Sequence, residues 1–174
     1  MRIARSLMLL FVLFTSYLVQ SAWLSLLNFP VIVPPLLIVI AAAFCLRREP
    51  LNAALIGFTT GIILDLFPPS QTPLGISSFS LVLLFFFVYQ IRPVIEGSLI
   101  LPVVAIAIVP AIYLLLNTFI RLFLSEQSLS ILEILADGIV LTLYGLILGT
   151  FALPITQWLD RLFTPRESSI GRFR

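Results

Sequence analysis

Residues 57–75 read Gly57-Phe-Thr-Thr-Gly61-Ile-Ile-Leu-Asp65-Leu-Phe-Pro68-Pro69-Ser-Gln-Thr-Pro73-Leu74-Gly75, and this stretch decides how the chain is built. Gly57, Gly61 and Asp65 fall at i, i+4 and i+8, so on a helix they form one stripe. The stripe lies within an apolar run that is broken by prolines at 68, 69 and 73. A carboxylate is costly in an apolar medium and is kept there only with partners. The proline turn and Gly75 mark where such partners would lie.

The rest of the chain supplies the medium. Of 174 residues, 60% are hydrophobic and only 10% are charged. Soluble domains carry roughly 25% charged residues, so lipid is the expected solvent for most of this surface. Histidine and lysine are absent, and all ten basic residues are arginine. The lone Cys45 excludes an internal disulfide, and no obvious ligand set for zinc or haem exists. No cofactor and no nucleic-acid partner are expected.

Crossing the hydrocarbon takes about 20 apolar residues, with a range of roughly 17–25. Six segments approach or meet this, at Leu7–Leu27, Val31–Leu46, Leu51–Phe67, Leu74–Ile91, Ser98–Leu124 and Ile131–Leu159. Prolines punctuate most of the junctions, as expected of a residue that starts helices and resists continuing them. Pro102, Pro110 and Pro154 are candidate kinks. The first segment is too long for the apolar core of a signal peptide and lacks a small-x-small cleavage site, so it reads as a retained helix. The expected architecture is an all-α integral membrane protein: one six-helix transmembrane bundle over residues 1–174, with 160–174 as a cytoplasmic tail.

Arginine placement orients the bundle. With six crossings, Arg2, Arg5, Arg47, Arg48, Arg92, Arg161, Arg166, Arg172 and Arg174 all fall on the side of the termini, and only Arg121 lies towards the other. Basic residues accumulate on the cytoplasmic side of membrane proteins. Both termini are therefore expected in the cytoplasm of a multi-pass protein, with the arginine tail near anionic lipid. The outer connections are short and leave no extracytoplasmic domain between helices.

Two roles fit Asp65. It is either a proton- or substrate-handling carboxylate, or an acceptor for the N–H groups that open the helix after Gly75, where the helix dipole favours negative charge. The second reading, a clasp between the third and fourth helices, is favoured because a helix start needs acceptors. Gly57 and Gly61 form a Gly-x-x-x-Gly pair of the kind that lets membrane helices approach closely, and Gly138, Gly145 and Gly149 form a second stripe on the sixth helix. Pairing of the third helix with the sixth through these stripes is expected. Asp137 is the other acid in an apolar run, and two membrane aspartates raise an intramembrane aspartyl hydrolase using Asp65 and Asp137. The chain lacks the Phe-Asn-x-Ala-Asp sequence of lipoprotein signal peptidases and the Gly-x-Gly-Asp of intramembrane proteases. Tyr113, Asn117 and Tyr144 read as inter-helix hydrogen-bonding groups. A small-molecule-binding transporter subunit is a further alternative, though the outer loops offer few polar groups: Ser70, Gln71, Thr72, Ser125, Glu126 and Gln127.

The third segment also carries a resemblance. Gly57-Phe58-x-x-Gly61-x-Ile63-Leu64-Asp65-Leu66, a short turn and Leu74-Gly75 resemble the signature of the MreD family of bacterial rod shape-determining membrane proteins. Overall length, six helices, cytoplasmic termini and Pro34-Pro35 at the second helix are also similar. The signature covers about a tenth of the chain, and Pro68, Pro69 and Pro73 depart from it. The resemblance implies a fold like the substrate-binding subunits of energy-coupling-factor transporters. It implies a non-enzymatic scaffold of the cell-elongation machinery in the bacterial cytoplasmic membrane, supporting rod shape and peptidoglycan synthesis. The implied partners are MreC first, with MreB, RodA and the transpeptidase partner of RodA, and the implied site residues are Gly57, Gly61, Asp65, Leu74 and Gly75.

Overall fold

A computed structural model of the chain describes residues 2–24, 33–66, 74–95, 98, 100–123 and 131–163. Among these residues the protein is all-helical. Helix α1 (Arg2–Leu18) runs on as a π-helical stretch, Val19–Leu24; α2 is Leu36–Cys45, α3 Pro50–Leu66 and α4 Ile76–Gln90. A four-residue helix, α5 (Arg92–Ile95), precedes α6 (Leu101–Phe123) and α7 (Ile131–Phe163).

Several bounds depart from the expected segments for local reasons. The second segment does not start at Val31: residues 33–35 are non-helical, and α2 begins after Pro34 and Pro35. Neither proline has an N–H to donate; Leu36 N–H closes a tight turn on the Pro34 carbonyl, and the first helical hydrogen bond runs from Val39 N–H to the Pro35 carbonyl. The ten residues that remain are about 15 Å long, half the hydrocarbon thickness. Pro50 occupies the first position of α3, where a missing N–H is harmless. Among the described residues, α6 and α7 alone are long and apolar enough to cross a membrane, and the remaining apolar helices have 10–17 residues.

Helix α2 is the central post. Leu37, Ile38, Val39 and every residue from Ala41 to Cys45 are buried, and α1, α3, α4, α6 and α7 all pack on it. A short helix that is apolar all round must be enclosed on every side. Two close pairs flank it, α3 with α4 and α6 with α7. The two glycine stripes close these two pairs instead of joining α3 to α7, which corrects the expected pairing. A Cβ on Gly57 would sit 2.8 Å from the Leu81 carbonyl oxygen, and one on Gly61 would sit 2.2 Å from the Ser78 Cα. A Cβ on Gly145 would sit 2.6 Å from the Ala107 carbonyl oxygen.

Polar groups are buried beside the apolar core, and apolar groups cover the exterior. Arg48, Asp65, Asn117, Asp160, Thr60, Thr156 and four serines are buried. Large apolar side chains stand exposed along the helices, from Leu7 and Phe11 on α1 to Phe151, Ile155 and Trp158 on α7. The apolar windows of α6 and α7 are only 28% and 11% buried, respectively.

Candidate functional site

The polar interior is organised at two ends of the bundle. At one end is Asp65, 95% buried in the last turn of α3. Its Oδ2 accepts the Gly75 N–H at 2.9 Å, and its Oδ1 accepts the Ser77 N–H at 3.3 Å. The Ser78 N–H and the Ser78 hydroxyl both donate to Oδ2 at 3.4 Å. These donors are the N-cap and the first turn of α4, which have no intrahelical acceptors.

The reason for this arrangement lies in Gly75. It is the N-cap of α4, with φ 101° and ψ −17°. This left-handed conformation favours glycine, and glycine has no side chain with which to cap. Asp65 supplies the missing acceptor from the neighbouring helix, and its charge complements the helix dipole. The Tyr113 hydroxyl of α6 donates to Ser77 Oγ at 2.9 Å, which extends the clasp to a third helix. Asn117, one turn further along α6, is also buried, and its Oδ1 meets no donor.

A second cap repeats the design. Pro35, the N-cap of α2, makes no capping hydrogen bond of its own. Gln20 Oε1, from the π-helical end of α1, accepts the Leu37 N–H at 2.9 Å. In both cases the acceptor for a helix start comes from the end of the helix before it. Gln20 escaped the sequence reading; its signal is a lone amide at the end of an apolar run, ahead of two prolines.

At the opposite end of α3, Arg48 and Asp160 form a buried ion pair. The Arg48 guanidinium lies over the Phe44 ring, 5.9 Å from its centroid, and Arg92 Nη1 donates to the Arg48 carbonyl oxygen at 3.5 Å. The pair ties the α2–α3 turn to the last turn of α7, which accounts for the extension of α7 beyond Leu159 to Phe163. The sequence places Arg48 among the arginines on the side of the termini and Asp160 in the tail, and discloses no pairing between them.

Of the sequence-predicted residues, Gly57, Gly61, Asp65 and Gly75 meet at the α3–α4 seam, while Leu74 is exposed. Gly145 lies close against α6, Gly149 makes ordinary contacts there, and no atom of the described residues lies within 4 Å of a Cβ placed on Gly138. Asp137 is half-buried on α7, a helix that does not pack extensively on α3. Among the described residues no group of three His, Cys, Asp or Glu side chains is placed to hold a metal ion. Comparison with family models, curated proteins and solved structures finds no match for this chain. The arrangement orders helices: it sets the angle and depth at which α3, α4 and α6 meet.

Proposed function

We propose that the chain is a multi-pass protein of the bacterial cytoplasmic membrane, a six-helix bundle of the MreD type with cytoplasmic termini, acting as a non-enzymatic scaffold that binds MreC. The observation that carries the membrane placement is the row of large apolar side chains exposed along every long helix, while Arg48, Asp65, Asn117 and Asp160 are buried. In water such a surface would drive aggregation; in lipid it is the required one. A soluble core helix as apolar as α7 would be mostly enclosed, and α7 is not.

The scaffold reading rests on what the signature residues do. Gly57 and Gly61 bring α3 onto the α4 backbone, and Asp65 caps α4 through Gly75. Gly57, Gly61, Asp65 and Gly75 together build one seam, while Phe58, Leu66 and Leu74 of the motif stand exposed. A seam of this kind presents helix faces at fixed angles to a partner, and the fold proposed with it is similar to the substrate-binding subunits of energy-coupling-factor transporters. MreB, RodA and its transpeptidase partner would be reached through MreC. Two measurements on the tagged full-length chain test the reading. The protein is expected to stay in bacterial membranes through alkaline carbonate extraction and to co-purify with co-expressed MreC in mild detergent. Release by carbonate would overturn the membrane placement; retention without MreC would overturn the scaffold assignment.

A further inference from the structure

We draw no further inference here: the strongest candidate, the buried polar cluster of Tyr113 and Asn117 on α6 beside the Asp65-capped start of α4, belongs to the clasp already described, and nothing among the described residues says what it would hold.

Discussion

Asp65 does for α4 what Gly75 cannot do. The N-cap of that helix needs a left-handed residue and an acceptor, and no single side chain supplies both well. Splitting the task between two helices makes the carboxylate a tie as well as a cap. Asp65→Ala would leave the N–H groups of Ser77 and Ser78 buried without an acceptor and take the acceptor from the partly exposed Gly75 N–H, at a cost of about 1–3 kcal/mol. Asp65→Asn keeps one acceptor oxygen and should lose less. Thermal unfolding in detergent, with both variants beside the parent, checks the order; an alanine variant as stable as the parent would remove the capping role. Gly75→Ala is a cleaner probe of the backbone, because nothing among the described residues lies within 4 Å of the new methyl group. Its cost is that of forcing a side chain into φ 101°, about 1–2 kcal/mol, read in the same unfolding experiment. The sequence made the Asp65 role legible because acceptor and helix start lie only ten residues apart. Gln20 was less legible, since a glutamine at the end of an apolar run looks like an interfacial residue until the helix it caps is located.

At the level of elements, the glycines differ in ways their spacing does not disclose. Gly57 and Gly61 stand against backbone atoms of α4, and Gly145 against backbone atoms of α6. Backbone cannot swing aside as a side-chain tip can. Gly61→Ala is therefore expected to push α3 from α4, with an overpacking cost of about 1–3 kcal/mol or more and a lower monodisperse yield. Gly149→Ala meets only ordinary contacts at 3.5 Å and beyond and should behave like the parent in size-exclusion chromatography. Equal behaviour of the two variants would mean that the α3–α4 seam is looser than its geometry. The sequence revealed both glycine stripes but not their partners. A Gly-x-x-x-Gly face is flat and accepts any helix, so the partner is set by connection length. Nine residues separate α3 from α4, and seven separate α6 from α7; short connections make sequence neighbours into antiparallel spatial neighbours. The same sequence overstated α2, where apolar residues before Pro34 looked helical although the prolines postpone the helix to Leu36.

For the whole molecule, two polar ties stand at the two ends of α3, separated by its 17 residues, about 25 Å. One joins α3, α4 and α6 through Asp65, and the other joins the α2–α3 turn to α7 through Arg48 and Asp160. Composition made the apolar exterior legible, but the second tie was hidden, because its members lie 112 residues apart and neither has a local spacing to betray it. Its energetics give a prediction with an internal control. A buried ion pair loses about as much solvation as it gains in attraction, whereas removing one partner strands a buried charge. Arg48→Met and Asp160→Leu should each destabilise the protein by about 3–5 kcal/mol. Made together, they leave no charge behind and should recover most of that loss, giving a large favourable coupling in the double-mutant cycle. Additive losses would mean that each residue acts through other contacts, Arg48 through Phe44 and Asp160 through the end of α7. Recovery in the double variant would show that what holds α7 to the α2–α3 turn is the matching of the two side chains and not their charge.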